Sequence, residues 1–398
     1  MLRVVSKQDA VACVQQKTKH LLCETEFAPL EVALNRVLSS DLVAREDVPS
    51  YDRSTVDGYA VIAADTFGAG DALPAELTVV REIHMGEAAD FSLQRGTCAR
   101  IATGGMLPDC ADAVIMVEHT QAAGNLCLAF SSVSPGENVT KRGDDVALGS
   151  VVLSKGSTLQ APEIGVLAAL GYDPVPVFRK PVVAVISTGD ELTKDVPNPG
   201  QVRDVNSALL SSSVKAAGCD AYCYGAVHDE REHIRKAIVA CLDAADVVLI
   251  SGGSSAGTKD MTVEILSSLG EVHFHGIAMK PGKPTIFATV NGKPVFGLPG
   301  HPLAAYFVFR LIVCPLIRSL LCRPEECPVR NGTLAVNIPS NHGREEYLCV
   351  RIDAEGAVYP LHTKSGVISV LAGADGYICV PRNMEGLSAG TTVEVYAL

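Results

Sequence analysis

Residues 175–322 carry the pattern that most constrains the fold of this chain, because short apolar runs alternate there with helical segments. The run Val182-Val183-Ala184-Val185-Ile186 and the run at 247–250 contain no polar residue, which is typical of strands buried on both faces. Asn291-Gly292 predicts a hairpin turn into a strand at 294–297. Further strands are predicted at 221–227, 272–278 and 285–290, and helices at 207–217, 229–242, 261–270 and 302–321. The alternation predicts a mostly parallel sheet with helices on both faces.

The N-terminal segment is predicted to be helical. Ser6 and Asp9 resemble a capping box, and the apolar spacing that follows predicts a helix to about residue 22. The apolar spacing at 29–38 predicts a second, short helix.

Two β-rich segments flank the central alternation. Residues 45–150 hold short β-prone runs separated by Gly, Pro and Asp, which indicates a small β-rich module. A helix with Pro162 near its first turn and Gly171 just past its end follows this module. After Pro324 the chain is β-rich again, with Gly-containing turns, and a small barrel or sandwich fits.

Composition and charge exclude several classes of function. The chain has 398 residues, 47% of them hydrophobic, and roughly 150 residues per domain suggests two to four domains. Thirty-three Lys and Arg against 45 Asp and Glu give a net charge of −12. Bulk attraction to nucleic acid or to an anionic membrane is therefore not expected, and the positive charge that an anionic ligand needs must be local.

Neither a membrane span nor a signal peptide is predicted. The longest apolar stretch, 303–317, contains Arg310 and Pro315, and Ser6-Lys7-Gln8-Asp9 interrupts the apolar start. The 13 cysteines include no Cys-x-x-Cys pair and mostly have apolar neighbours. This pattern favours reduced, buried thiols over a zinc site, and we expect a cytoplasmic protein.

Ligands of open α/β sheets bind beyond the carboxyl ends of the strands, and this rule selects four loops. They are Ser187-Thr188-Gly189-Asp190-Glu191-Leu192, the glycine-rich segment 251–260, Met279-Lys280-Pro281-Gly282-Lys283-Pro284 and Gly297-Leu298-Pro299-Gly300-His301-Pro302. Backbone amides in 251–260 suit a phosphate group, although the segment is neither a Walker loop nor a dinucleotide fingerprint. Glycines after a strand also form simple tight turns, so both interpretations stay open.

Charged side chains in these loops suggest two kinds of ligand. Prolines restrict the backbone around Lys280 and Lys283, so an anion between the two ammonium groups is one explanation and two solvated lysines are the other. The acids that follow strands are Asp190, Glu191, Asp229 and Asp260. Such a cluster suits Mg²⁺, and helix N-capping is the alternative for the last two.

Four motifs together resemble the molybdopterin molybdotransferase family, which includes MoeA and the gephyrin E domain. They are Val56-Asp57-Gly58-Tyr59-Ala60, Ser187-Thr188-Gly189-Asp190-Glu191-Leu192, Lys280-Pro281-Gly282-Lys283-Pro284 and Gly297-Leu298-Pro299-Gly300-x-Pro302. The resemblance is collinear from the first helix to the C-terminal β module and covers essentially the whole chain.

The resemblance implies an elongated homodimer whose chains combine α/β and β domains. The implied parts are an N-terminal helix at 1–26 that packs on the α/β domain, a helical linker or dimerisation domain at 27–45 and 146–174, a β-rich inserted domain at 46–145, a central, mostly parallel α/β molybdopterin-binding domain at 175–324 that resembles adenylyltransferases, and a small C-terminal β-barrel at 325–398. The implied active site joins the α/β domain of one subunit to the β-rich domain of the other.

The implied reaction inserts molybdenum from molybdate into adenylylated molybdopterin, and Mg²⁺-dependent cleavage releases AMP and molybdenum cofactor. The family's catalytic residues map onto Asp57, Thr103, Asp145, Glu191, Asp229 and Asp260, of which Glu191, Asp229 and Asp260 are the implied metal ligands. The implied substrate-binding residues are Ser187, Thr188, Gly189, Asp190, Gly252, Gly253, Ser254, Lys280, Lys283, Pro299, Pro302 and Ser365. Protein partners consistent with the family are molybdopterin adenylyltransferase and maturation proteins of molybdoenzymes.

The chain departs from the family pattern near the expected ligand. Gly252-Gly253-Ser254-Ser255-Ala256-Gly257 replaces the usual Gly-Gly-Val-Ser-Val-Gly, His301 stands where Asn is common, and Gly105 follows Thr103-Gly104 where Ala is usual. A paralogue specialised for another oxyanion, such as tungstate, therefore stays an alternative. A non-catalytic scaffold that binds molybdopterin is a second alternative, which the retained acids and lysines disfavour. Adenylylation of molybdopterin is a third, but it would need only the α/β domain.

Overall fold

The computed structural model describes residues 4–21, 24–252, 256–324, 326–361 and 366–398, without the side chains of residues 256–260. The implied site residues Gly253, Ser254 and Ser365 lie outside the described residues, as does the side chain of Asp260.

Six strands of the predicted α/β segment form one sheet, here called the central sheet. Their order is Asp220–Val227, Val182–Thr188, Val247–Gly252, Lys293–Leu298, Ile286–Val290 and Glu271–His275. The first four are parallel, and the last two are antiparallel to their neighbours. The prediction of a mostly parallel sheet is confirmed.

Both faces of the central sheet are buried. Val183 and Val185 contribute to one apolar cluster, whereas Ala184 and Ile186 contribute to another. Alternate residues of a strand point to opposite faces, so a run without polar residues is what two covered faces require. The covering helices are Lys7–Thr18, Val205–Ala216, Arg231–Ala244, Ala256–Leu269 and Pro302–Leu320.

The predicted hairpin and the predicted N-terminal cap are present. Asn291 and Gly292 both have positive φ, 51° and 78°, which a two-residue turn between twisted strands requires. Asp9 N donates to Ser6 Oγ at 3.1 Å at the start of the first helix.

The long helix predicted at 302–321 is present as Pro302–Leu320, with Arg310 and Pro315 inside its apolar stretch. It consists of Pro302–Val308, a π-helical turn at Phe309–Val313, and Cys314–Leu320. By length and composition it could cross a membrane, but 72% of its apolar window is buried inside the fold. Such burial is typical of a core helix.

The predicted helix at 29–38 is wrong. Only Leu30–Val32 forms a 3₁₀ turn, and the backbone nitrogens of Asn35 and Leu38 donate instead to the carbonyls of Leu159 and Ser157. Pairing with the returning chain therefore overrides the local helical spacing. The implied helical linker, 27–45 and 146–174, accordingly has one α-helix, Ala161–Ala169, and the paired strands Leu42–Val43 and Val151–Leu153. At its borders Thr25–Ala28 pairs antiparallel with Val175–Phe178.

Two further sheets confirm that residues 45–150 and the chain after Pro324 are rich in β-strands. The first has the order Ala113–Met116, Gly58–Val61, Thr97–Ile101, Ala75–Ile83, Leu126–Ala129 and Thr120–Ala123. The second, here called the C-terminal sheet, includes Arg330–Leu334, Glu345–Ile352, Ala357–Pro360, Gly376–Val380 and Thr392–Val395. Met279–Lys280, from the loop beside the central sheet, pairs parallel with Glu345–Ile352. The short pairs are Arg53–Ser54 with Val139–Thr140, Leu192–Thr193 with Val202–Arg203, and Ile338–Pro339 with Gly386–Leu387.

The cysteines among the described residues are all free thiols. Six of these are buried, but Cys110, Cys223, Cys322 and Cys327 are exposed, so burial holds for only part of the set.

Candidate active site at the carboxyl edge of the central sheet

Two strand ends approach each other closely at the carboxyl edge of the central sheet. A Cβ added to Gly252 would lie 2.2 Å from Thr188 Oγ1 and 2.3 Å from Thr188 O, and Gly252 has φ +152°. A Cβ added to Gly189 would lie 2.7 Å from the Glu191 carboxylate. Glycine is therefore required at both positions, and it lets the Glu191 carboxylate and the Thr188 hydroxyl lie against bare backbone.

Acidic side chains gather around these strand ends. Asp190 Oδ1 lies 3.0 Å from His228 Nδ1 and accepts a hydrogen bond from Asp229 N at 3.2 Å. These contacts, the one with His228 first, hold the pKa of Asp190 below its ordinary value. Burial raises the pKa of Asp229, and the charges of Asp190 and Glu191 add to this, against a hydrogen bond with Thr188.

The position of Asp229 corrects one interpretation. The helix Arg231–Ala244 has Glu230 as its N-cap residue, so Asp229 does not cap it. Its oxygen Oδ1 is buried and has no hydrogen-bond partner among the residues that the structure describes. Asp260 is not a cap either, because the helix begins at Ala256 and residue 260 lies in its second turn. Capping therefore explains neither acid.

Mg²⁺ fits the chemistry of this corner. A buried carboxylate oxygen without a partner, close to two other negative charges, is stabilised by a divalent cation, and oxygen ligands are what Mg²⁺ prefers. Among the described side chains no complete cluster of three metal ligands is formed.

A hydrogen-bonded network that the motif analysis missed lies beneath the same loops. Asp204 Oδ1 accepts bonds from Ser187 Oγ at 2.9 Å and from Ser207 N at 3.0 Å. Asn206 Nδ2 donates to Ser251 Oγ and to Gly300 O, both at 2.7 Å. The spacing of Asp204 before a predicted helix was the signal available, since it is that of an N-cap. The network ties three of the four predicted loops together.

The segment Pro299-Gly300-His301-Pro302, here called the proline loop, contacts this network through the Gly300 carbonyl. Pro302 begins the long helix, His301 is its N-cap residue, and Ala305 N donates to His301 O at 2.9 Å. A Cβ on Gly366 would lie 3.8 Å from His301, so Gly366 comes close to this loop. Pro299 and Pro302 are thereby placed at the edge where they were expected.

The two predicted anion-binding lysines differ in their surroundings. Lys280 Nζ lies 2.7 Å from Glu346 Oε1, whereas Lys283 is exposed. Lys280 therefore has a counter-ion within the chain. The charge of Lys280 is thus compensated without an external anion, and both explanations offered for the two lysines stay open.

In the β-rich sheet, the structure brings Asp57 and Thr103 together. Thr103 N and Oγ1 donate to Asp57 Oδ1 at 2.7 Å and 2.9 Å. Asp145 lies in a different turn, where its nitrogen donates to Val48 O. No hydrogen bond or ion pair described for Asp57 reaches the central sheet of the same chain.

Two cavities differ in size and place. One cavity of about 930 Å³ lies elsewhere, between the first helix, the long helix and the C-terminal sheet, and is lined by Lys7, Val11, Arg310, Tyr347 and Tyr377 among others. A cavity of about 10 Å³ at the edge is lined by Thr188 and Gly252 among others. We locate the site by its chemistry, because the acids, glycines and network converge there.

Comparisons with known proteins cover most of the chain. Three family models match the chain: the MoeA N-terminal region (domain I and II) at residues 5–171, a probable molybdopterin binding domain at 184–319, and the MoeA C-terminal region (domain IV) at 331–398. The second match contains all four loops at the carboxyl edge of the central sheet.

Similar proteins extend over nearly the whole chain. A putative molybdopterin biosynthesis protein of Methanocaldococcus jannaschii is 38% identical over 92% of this chain and 90% of its own length. The molybdopterin molybdenumtransferase of Bacillus subtilis is 34% identical over 94% and 89%. The crystal structure of a molybdopterin biosynthesis MoeA protein from Pyrococcus horikoshii has a TM-score of 0.88 and 37% identity, and the two chains cover 99% of each other.

The fold and the matched regions define a molybdopterin-binding α/β protein with β-rich additions. The chain belongs to the MoeA family, the molybdopterin molybdotransferases. The resemblance inferred from the four motifs is confirmed.

Proposed function

We propose that this enzyme inserts molybdenum from molybdate into adenylylated molybdopterin and releases AMP in a Mg²⁺-dependent step. The observation that carries the proposal is the cluster of acids at the strand ends, where a buried oxygen of Asp229 has no partner within the described part of the chain and lies near the charges of Glu191 and Asp190. Such a cluster repels an anionic substrate unless a cation is present. The relatives named molybdopterin molybdenumtransferase support the transfer of molybdenum to molybdopterin.

The acids and lysines receive complementary roles. Glu191, Asp229 and Asp260 would hold Mg²⁺, which when bound neutralises the acids and polarises the phosphate oxygens of the adenylate. Lys280 and Lys283 bind molybdate or a phosphate oxygen as point charges. The strand-end segments Ser187-Thr188-Gly189-Asp190 and Gly252-Gly253-Ser254, the prolines Pro299 and Pro302, and Ser365 surround the substrate.

The remaining acids come from a second subunit. Asp57 is ionised and oriented by Thr103, but its described contacts do not reach the central sheet of its own chain. A homodimer in which Asp57, Thr103 and Asp145 of one subunit face the acids of the other supplies the missing half of the site. Asp57 then orients the attacking group or accepts its proton.

We also propose the division into parts at 1–26, 27–45 with 146–174, 46–145, 175–324 and 325–398. The last part is proposed to be a small β-barrel. Its strands pair in a ring. Arg330–Leu334 pairs with Thr392–Val395 and with Ala357–Pro360, and Glu345–Ile352 pairs with Ala357–Pro360 and with Gly376–Val380. A bridge from Tyr377 to Tyr396 joins Gly376–Val380 to the end of Thr392–Val395. A cytoplasmic location and transient contact with an adenylyltransferase or with maturation proteins are consistent with the proposed reaction.

The test is an incubation of the protein with adenylylated molybdopterin, Mg²⁺ and molybdate, followed by chromatography for AMP. We expect AMP in the complete mixture and none without Mg²⁺. Faster AMP release with tungstate than with molybdate would identify a paralogue specialised for that oxyanion. Binding of molybdopterin without AMP release would contradict catalysis and indicate a scaffold.

A further inference from the structure

We infer that Glu346, a residue of the C-terminal sheet, is a positioning residue for Lys280, and the inference rests on the anion-binding role proposed above. The Glu346 Oε1 atom lies 2.7 Å from Lys280 Nζ. The Glu346 side chain is 8% exposed, whereas that of Lys280 is 53% exposed. The pair thus joins a buried acid to an ammonium group that remains open to a ligand.

Backbone pairing fixes the acid. Met279–Lys280 pairs parallel with Glu345–Ile352, with Lys280 opposite Glu346, and Glu345 N donates to Ala278 O at 3.1 Å. Ser340 Oγ donates to the second carboxylate oxygen of Glu346 at 2.7 Å. Both oxygens therefore have partners, and the carboxylate cannot turn away without losing one of them.

The loop that follows Lys280 is also fixed. Lys283 O accepts bonds from Ile277 N at 2.9 Å and from Thr285 N at 3.0 Å, and Thr285 Oγ1 donates to Gly282 O at 2.7 Å. With the backbone held, the flexible four-carbon stem of the lysine is the part that would lose freedom when an anion binds. The pairing with Glu346 removes much of that freedom before the ligand arrives.

The contact between Glu346 and the Lys280 ammonium group remains when the anion binds, so Glu346 does not compete with the ligand. An ammonium group has three donors, so two remain for an oxyanion when one is directed to Glu346. If Lys280 left, the buried carboxylate would remain without a compensating charge, which is strongly unfavourable. The C-terminal sheet thereby contributes to a site that is built on the central sheet.

The test compares Glu346→Ala and Glu346→Gln with Lys280→Gln. We expect Glu346→Ala to raise the molybdate or adenylate concentration for half-maximal AMP release roughly fivefold to tenfold, with little change in kcat, because the ammonium must be ordered on binding. Glu346→Gln keeps an acceptor for the ammonium and should restore most of the affinity. Glu345→Ala is the matched control, because Glu345 is adjacent on the strand but accepts from Tyr347 OH.

The outcomes are separable from those of the proposed function. The positioning role would be overturned if folded Glu346→Ala needed the same molybdate or adenylate concentration for half-maximal AMP release as the parent. It would also be overturned if adding Glu346→Ala to Lys280→Gln weakened binding further. If Glu346→Ala does not fold, Glu346→Asp is the test. Its shorter side chain should weaken binding of molybdate or the adenylate by an intermediate amount, and unchanged affinity would contradict the positioning role. If the parent releases no AMP, the proposed function fails, and equilibrium dialysis of molybdate against parent and variant still tests the inference: equal binding, or none, overturns it.

Discussion

Thr103 donates two hydrogen bonds to a single oxygen of Asp57, from its backbone nitrogen at 2.7 Å and from its hydroxyl at 2.9 Å. Both bonds favour the ionised carboxylate and hold the pKa of Asp57 below its ordinary value, and the backbone bond is the larger cause. Asp57 is therefore ionised and oriented at neutral pH, which suits the role that we propose for it in the partner's site.

Thr103→Val should raise the pKa of Asp57 without restoring its ordinary value, because the hydroxyl bond is lost and the backbone bond stays. Carboxyl NMR titration measures this shift. Because the pKa of Asp57 is lower in the folded than in the unfolded protein, the ionised carboxylate stabilises the fold at pH values above 3.8. This stabilisation is lost as the pH falls through the folded-state pKa. Thr120→Val is the control, since that hydroxyl donates to Val117 O. An unchanged Asp57 pKa in Thr103→Val would show that the hydroxyl bond is not formed in solution.

Asp229→Asn should raise the Tm at neutral pH when EDTA removes metal ions. Burial, assisted by two neighbouring negative charges, raises the folded-state pKa of Asp229 above 3.8. A group with a raised pKa stabilises the fold below its unfolded pKa, and that contribution is lost as pH rises through the folded value. The advantage of Asn should therefore disappear near pH 3.8. If Asp229→Asn had a lower Tm than the parent at neutral pH, the Asp229 charge would not destabilise the metal-free fold as inferred.

Added Mg²⁺ should raise the Tm of the parent more than that of Asp229→Asn. The cation binds the folded state and offsets the charge of Asp229 and Glu191, so the parent gains stability by mass action. Ca²⁺ and Na⁺ at matched ionic strength separate specific binding from screening. Equal Tm shifts in parent and variant would remove Asp229 from the set of metal ligands.

Gly252→Ala should destabilise the protein by about 1–3 kcal/mol, because the new methyl group meets Thr188 and the backbone has positive φ. Urea unfolding measures the loss. Gly165→Ala is the matched control: this glycine lies inside the helix Ala161–Ala169 with no neighbour near an added Cβ, so Ala should stabilise there by about 0.5–1 kcal/mol. A tolerated Gly252→Ala would mean that the two strand ends do not approach as described.

A homodimer with shared sites predicts complementation between inactive variants. Asp57→Asn and Asp260→Asn affect different halves of the site, so a mixed dimer contains one intact site. Random mixing should restore about a quarter of the parent activity, because about half of the dimers are mixed and each has one working site of two. Sedimentation should give about twice the chain mass. An active monomer, or no restoration after subunit exchange, would contradict the shared site.

The central sheet was predictable because its buried strands contain runs without polar residues. Such runs require a sheet that is covered on both faces, and alternating strands and helices provide one. The helix at 29–38 was not, because its periodic apolar residues serve pairing with Ser157 and Leu159, which local spacing does not reveal. Helix starts were also misplaced, and the capping interpretations of Asp229 and Asp260 failed with them.

The site was predictable as a set of loops, because the carboxyl-edge rule selects loops without knowledge of their side-chain partners. The partners were not predictable. Glu346 lies some 65 residues beyond Lys280, in a β-rich segment with no motif of its own, and only the parallel pairing with Met279–Lys280 brings it to the lysine. Asn206 was missed because a single amide near a helix start carries no signal in sequence.

In the proposed function, AMP release and molybdenum insertion are one reaction of this chain. The most direct test is a single turnover with adenylylated molybdopterin, Mg²⁺ and molybdate, in which AMP is measured by chromatography and pterin-bound molybdenum by elemental analysis. We predict that the two products appear in equal amounts and that neither forms without Mg²⁺. AMP without pterin-bound molybdenum, or no AMP in the complete mixture, would contradict the account.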